Sequence, residues 1–183
     1  MSLIATDSLQ ANQYFDLAVS SGIAAKHDSS IYYYNKALPL LLSVSSWEKA
    51  VKSHIDLVEQ FNYHDKPDSM IAHANKALEI SLKHLGDTNL LTASSYYSLG
   101  RCLVENYKMT DAIFNLERAL DIYLDLQDPD HPDLLRVYRQ LGLSFMRLND
   151  GENCTAIFLK ILDILLRTKG EYSTEVVQTY NNL

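Results

Sequence analysis

Apolar residues recur along most of this chain at spacings of three and four positions, which is the period of one face of an α-helix. One such face, within residues 111–124, comprises Ala112, Leu116, Ala119, Leu120 and Tyr123. Strict alternation of apolar and polar residues is nowhere sustained, so β-strands are not expected. The pattern predicts helices at about 8–25, 29–44, 46–63, 67–85, 89–105, 109–127, 132–148 and 151–168, and a last one that begins near 173.

Capping and turn residues support these helix boundaries. Ser45 or Ser46 can cap a helix that starts near Trp47, and Pro67 suits the first turn of another helix. The link Asp-His-Pro-Asp at 130–133 combines a capping residue with an early proline. Further turns are marked by Gly86, Gly151 and Gly170. Short links of this kind join antiparallel helices into α-hairpins.

A longer period of forty-two residues runs through the second half of the chain. Tyrosine recurs at Tyr96, Tyr138 and Tyr180, and a leucine follows each of them three residues later, at Leu99, Leu141 and Leu183. A fixed period of this size is the signature of a repeat architecture, in which each unit buries its apolar face only against its neighbours. The expected fold is therefore all-α, a right-handed superhelical solenoid of antiparallel helix pairs.

The repeats are expected to form one domain over residues 1–183. Four repeats are predicted at about 8–45, 46–88, 89–130 and 131–172, followed by a truncated fifth from about 173. Because Leu183 falls inside the first helix of the fifth repeat, we expect the chain to be a fragment of a longer protein. Terminal repeats need a polar outer face. The uncapped apolar faces around Ile157, Ile161 and Leu165 are therefore expected to be exposed and to promote homo-oligomers.

The repeats resemble the tetratricopeptide repeat, whose pattern is aromatic-x-x-Leu-Gly-x-x-aromatic followed by small-x-x-x-aromatic-x-x-Ala. The third repeat carries this pattern at Tyr96, Leu99, Gly100, Ala112, Leu116 and Ala119. The fourth carries it at Tyr138, Leu141, Gly142, Phe145, Cys154, Phe158 and Ile161. The forty-two-residue unit and the Asp-His-Pro-Asp link are similar to those of the kinesin-light-chain type of repeat.

The resemblance implies that the first helix of each pair lines a concave groove, with the second helix behind it. Counting from the leucines of the forty-two-residue period, the candidate peptide-binding residues are Tyr97, Arg101, Arg136, Arg139, Leu143, Met146, Arg147 and Asn181. Arginine holds carboxylates bidentately, so the groove is expected to bind an acidic peptide. Tyr97, Leu143 and Met146 would add apolar contacts. By resemblance, Asn181 would clamp the backbone of an extended peptide.

A second interpretation of the same arginines is intramolecular pairing. Arg101 can pair with Glu105 four residues on, and charged residues on a helix commonly form no more than a solvated face. Two functions therefore stay open. One is an adaptor or scaffold that binds a partner protein or peptide, and the other is a structural self-association or spacer module without a peptide ligand.

Composition narrows the classes of function. A net charge of −7 argues against a nucleic-acid partner, because phosphate contacts need clustered Lys and Arg. No apolar run approaches the ~20 residues that span a bilayer, so membrane insertion is not expected. Residues 1–10 show neither the basic nor the apolar region of a signal peptide. Two sparse cysteines, Cys102 and Cys154, suit a reducing compartment, and we expect a cytoplasmic protein.

Motifs of catalysis and metal binding are missing from the sequence. The six histidines form no HExxH or similar metal-ligand spacing. There is no glycine-rich phosphate loop and no GxSxG turn. The prediction is a protein that is not an enzyme and has no catalytic residue, no metal and no cofactor.

Overall fold

The protein is built from helices that succeed one another through short links. The structure, a computed structural model, describes residues 3–183, with side chains from Ala5 onward. The helices are α1 (Leu3–Ile23), α2 (His27–Ser43), α3 (Trp47–Asn62), α4 (Pro67–His84), α5 (Leu90–Glu105), α6 (Met109–Leu126), α7 (Pro132–Arg147), α8 (Gly151–Lys169) and α9 (Thr174–Asn181). Each predicted helix is present, and residues 3–183 contain no strand. Only α1 begins well before its predicted start, at Leu3.

The chain divides into two compact units, and the boundary lies inside α5. The first unit ends at Ser98, and the second begins at Leu99. In the first unit α1 packs on α2, α2 on α3 and α3 on α4, while in the second α6 packs on α7, α7 on α8 and α8 on α9. Among the described residues, no helix has the length and apolar character needed to cross a bilayer.

One type of link recurs between paired helices. A residue with positive φ follows the first helix of each pair, and also follows α2: Ala25, Ser45, Asp65, Tyr107 and Asn149. At Tyr107, the amide donates to the carbonyl of Val104 at 3.2 Å, and the next amide, of Lys108, donates to Leu103 at 2.9 Å. The same two bonds occur in the other four links. They form a Schellman-type C-cap, which satisfies the last carbonyls of the helix.

The predicted caps are partly confirmed. Pro67 lies in the first turn of α4, as expected. Ser46 is the N-terminal residue flanking α3, but its side chain makes no capping bond. In the 130–133 link, His131 and not an aspartate caps α7, since its Nδ1 accepts from the amide of Asp133 at 3.3 Å. Gly86 and Gly170 have positive φ in the longer links, where a side chain would be strained.

Small residues allow close helix packing in the first unit. Its buried cluster comprises Ala11, Ala18, Tyr34, Ala37, Leu38, Leu41, Ala50 and Leu57. Four of these eight are alanines, which lets helix backbones approach closely. The hydroxyl of Ser30 donates to the carbonyl of Ala18 at 2.9 Å, a bond possible only at such short range between α1 and α2.

In the second unit the glycine of the repeat pattern has a steric role. A Cβ atom at Gly100 would lie 2.7 Å from Cγ of Leu116, a side chain that is completely buried. Gly142 occupies the same position one repeat later, facing the ring of Phe158. Cys102 is buried, and Cys154 is partly buried with its thiol 3.8 Å from the Gly142 carbonyl. These thiols therefore pack as small apolar groups.

The prediction that the faces around Ile157, Ile161 and Leu165 are exposed is wrong for Ile161 and Leu165. Ile161 is 2% exposed and Leu165 is fully buried, while Ile157 is partly buried. The physical reason is α9, which packs against α8. Of the three tyrosines that recur every forty-two residues, Tyr96 and Tyr138 belong to the core, whereas Tyr180 is 54% exposed.

Candidate functional site

A cleft in the second unit lies between α7 and α9, and α8 forms its floor. Its volume is about 430 Å³. The lining residues are Arg139, Leu143 and Met146 of α7, Phe158 and Ile161 of α8, Glu175, Gln178 and Thr179 of α9, and Asn182. The cleft thus combines an apolar floor, two charged side chains and several amide or hydroxyl groups.

The α7 wall follows from helical geometry. Arg139, Leu143 and Met146 are four and three residues apart, so they share one face of the helix. Tyr138 and Leu141 lie on another face and are buried. The register that was read from the forty-two-residue period therefore places these three candidate residues in one wall.

An ion pair connects the two walls of the cleft. Nη2 of Arg139 lies 2.6 Å from Oε2 of Glu175, and both side chains are about half exposed. Exposed pairs of this kind contribute only about 0–1 kcal/mol to stability. A carboxylate of a ligand could therefore replace Glu175 on Arg139 at small cost.

The α9 wall offers amide groups. Gln178 and Asn182 are exposed, and their side chains make no hydrogen bond to another described residue. Each amide has donors and an acceptor, which is the pair of functions that a peptide backbone requires. Thr179 is already used, since its hydroxyl donates to the carbonyl of Glu175 at 2.7 Å. Asn181, the predicted clamp, is exposed in the last turn of α9 but does not line the cleft.

The other candidate arginines lie outside the cleft and have contacts of their own. Nη1 of Arg136 is 3.1 Å from Oδ1 of Asp133, one turn earlier on α7. Nη1 of Arg101 is 3.2 Å from Oε1 of Glu105, the pairing named in the second interpretation of the sequence.

Arg147 also lies outside the cleft. It donates to the Val104 carbonyl at 2.5 Å, and its guanidinium lies 4.9 Å from the ring centre of Tyr107. The four arginines thus do not form one cluster, and Arg139 alone among them lines the cleft.

Tyr97 was predicted at an exposed groove position, but it is only 8% exposed. Val104, two turns further along the same helix, is buried as well. The reason is that α5 is buried around most of its circumference, since every residue from 95 to 100 is buried. A register that assumes one buried and one exposed face does not hold for such a helix.

Glu175 was not among the site residues predicted from the sequence. A signal was available, because Glu175 follows Asp133 by forty-two residues and both are in the first turn of a helix. Phe158 and Ile161 were named as positions of the repeat pattern and not as the floor of a cleft. Among the described residues, no group of three His, Cys, Asp or Glu side chains could hold a metal ion.

Comparison with known proteins shows which known fold this chain has. No protein-family model matches the chain, and no curated protein sequence matches it. Solved structures do match: BtubC (BKLC) from P. vanneervenii is 22% identical, with a TM-score of 0.80 over 92% of this chain and 68% of that one. The chain has a tetratricopeptide-like repeat fold.

Two further structures show the same tetratricopeptide-like repeat fold. A Podosopora anserina putative kinesin light chain with nearly identical TPR-like repeats is 13% identical, with a TM-score of 0.76 over 94% of this chain and 82% of that one. YrrB, described as a TPR protein with an unusual peptide-binding site, is 13% identical, with a TM-score of 0.52 over 92% of this chain and 90% of that one. The predicted fold class is therefore confirmed.

Proposed function

We propose that this chain is a protein-interaction module that binds a segment of a partner protein in the cleft between α7 and α9. The observation that carries the proposal is the composition of this cleft. A half-exposed arginine, an apolar floor and two available amide side chains face one volume of about 430 Å³. Proteins with this repeat fold generally act in protein interactions, and YrrB is described as having a peptide-binding site.

An extended acidic segment fits these groups best. A carboxylate of the segment would replace Glu175 on Arg139, and the amides of Gln178 and Asn182 would bond to its backbone. An apolar side chain of the segment would contact Leu143 and Met146. The ligand thus needs a carboxylate next to an apolar residue, which is a narrower requirement than general negative charge.

The test uses a fluorescein-labelled peptide of alternating Glu and Leu, followed by fluorescence anisotropy. Arg139→Glu should weaken binding about ten- to a hundredfold, because it removes a charge-assisted hydrogen bond and also puts a carboxylate that repels the ligand in its place, about 1.5–3 kcal/mol together. Arg136→Glu is the matched control, since Arg136 lies on the same helix outside the cleft. Glu175→Gln should strengthen binding by up to about fivefold, because it removes the internal competitor.

The proposal fails if Arg139→Glu and Arg136→Glu weaken binding equally, which would indicate attraction by net charge alone. It also fails if Glu175→Gln weakens binding. Far-ultraviolet circular dichroism of each variant verifies that the helices are retained.

Self-association is a second candidate, and exposed apolar residues on α9 favour it. Val177 and Tyr180 are three residues apart on one face of α9, and each is more than half exposed. A second copy could cover this face. Sedimentation equilibrium should then show a dimer that Val177→Glu dissociates, and a monomer at all accessible concentrations would contradict this candidate.

Other sequence predictions remain proposals. A cytoplasmic location is supported by the low cysteine count, Cys102 and Cys154 alone, which suits a reducing compartment. A non-enzymatic role and the lack of a nucleic-acid partner are proposed on the fold and on the net charge of −7. We also propose that both compact units act as one repeat domain.

A further inference from the structure

A second and larger pocket occupies the first unit. The helices α2 and α4 lie on either side of α3 without packing closely against each other. The space between them, about 690 Å³, is lined by residues of α2, α3 and α4. This volume falls in the range of about 300–1,000 Å³ that is usual for ligand sites.

The walls of this pocket are mainly apolar. Leu38, Pro39 and Leu42 come from α2, and Ile80 comes from α4. Trp47, at the start of α3, is fixed by stacking on His84, with ring centres 3.7 Å apart and planes inclined by 9°. An aromatic ring held in this way provides a rigid, flat contact surface.

Pro39 leaves a backbone acceptor without its usual helical partner. It lies in the interior of α2 and has no N–H, so the carbonyl of Asn35 receives no bond from the residue four positions on. Asn35 and Pro39 both line the pocket. A donor on a bound ligand can therefore find an acceptor beside the apolar wall.

The rim of the pocket is positively charged in a protein whose net charge is −7. Nζ of Lys76 lies 2.7 Å from Glu79, which accounts for one lysine and one glutamate of the rim. Lys83 lies one turn beyond Glu79 and, among the described residues, makes no ion pair within 4.0 Å. His54 closes the inner end with its pKa lowered to about 4, chiefly by burial, so it is neutral at pH 7.

We propose that this pocket binds a partner segment that presents a bulky apolar side chain next to an acidic residue. The apolar side chain would pack between Leu42, Ile80 and the ring of Trp47. The acidic residue would pair with Lys83, which attracts Glu79 through space but forms no ion pair within 4.0 Å among the described residues. Asn35, Pro39 and Leu42 are exposed, so the pocket is open enough for a chain to enter and leave. This site is separate from the cleft between α7 and α9.

Trp47 provides the readout, because it is the only tryptophan of the chain. Two blocked hexapeptides are titrated at pH 7.5 while its emission is recorded. Each has a central Leu-Phe pair, flanked by glutamates in one peptide and by lysines in the other. The glutamate peptide should change the Trp47 emission saturably, and the lysine peptide should bind at least tenfold more weakly.

Variants then separate this pocket from other sites. Lys83→Glu should abolish or reverse the preference for the glutamate peptide, whereas Lys36→Glu, on an exposed position of α2 outside the pocket, should leave it intact. Leu42→Asp should abolish the response to both peptides while circular dichroism stays unchanged. Arg139→Glu should have no effect on the response.

Three results would overturn the proposal. The first is that neither peptide changes the Trp47 emission. The second is that Lys83→Glu leaves the ratio of the two affinities unchanged. The third is that the response disappears in Arg139→Glu, because the emission change would then originate from binding in the other cleft.

Discussion

Replacing Gly100 with alanine tests the close approach of α5 and α6. The added Cβ would lie 2.7 Å from Cγ and 2.9 Å from Cδ2 of Leu116, and 3.3 Å from the backbone carbonyl of Ala112. Leu116 is completely buried and cannot turn away into solvent. Overpacking of this kind costs about 1–3 kcal/mol. Alanine recovers about 1 kcal/mol of helix propensity, so we expect a net loss of about 1 kcal/mol.

Gly142 is the matched control, because it occupies the same position one repeat later. There the added Cβ would lie 3.4 Å from Cζ of Phe158 and 3.5 Å from Cγ2 of Ile157, which are ordinary contacts. The gain in helix propensity should then prevail, and Gly142→Ala should stabilise the protein by about 0.5–1 kcal/mol.

Urea unfolding, followed by circular dichroism at 222 nm, measures both changes. The two substitutions should shift the midpoint in opposite directions. In a Leu116→Ala background, which removes the clashing atoms, Gly100→Ala should no longer destabilise. A Gly100→Ala variant as stable as Gly142→Ala would refute the inferred steric conflict with Leu116.

Two further predictions concern the first unit. Ala25, in the link after α1, has a φ of 53°. Ala25→Gly should therefore raise the free energy of unfolding by about 1 kcal/mol, whereas Ala24→Gly should not. Urea titration measures both changes. Burial, followed by the neighbouring His73, lowers the pKa of His54 to about 4, from about 6.5 in the unfolded chain. The unfolded state therefore binds the extra proton first, and stability should fall as pH drops from 6.5 towards 4, by about 2–3 kcal/mol. The raised pKa of Asp56, caused by burial, opposes this loss at the acid end. His54→Phe should flatten the pH profile of thermal unfolding, and an unchanged profile would contradict the assignment.

Part of the candidate site was predictable from the sequence. Residues that share a face of one helix could be predicted, whereas contacts between helices could not. Arg139, Leu143 and Met146 share a face because of their spacing along one helix, and spacing is visible in sequence. The pairing of Arg139 with Glu175 joins residues on different helices, and Arg136 instead pairs within α7. The spacing of three residues makes the Arg136–Asp133 pair visible in the sequence, whereas no acidic residue lies three or four positions from Arg139. Only helix packing supplies the partner of Arg139.

The helices, their links and the forty-two-residue repeat could all be read from the sequence, because these depend on local periodicity and on capping over a few residues. The repeat pattern also places Tyr138 and Leu141 on the apolar face of one helix, and such a face must be buried. Only the packing of the helices buries α5 nearly all round, and this packing removes Tyr97 from the surface. It alone opened the pocket between α2 and α4, because the separation of two helices depends on the side chains packed between them and not on either helix.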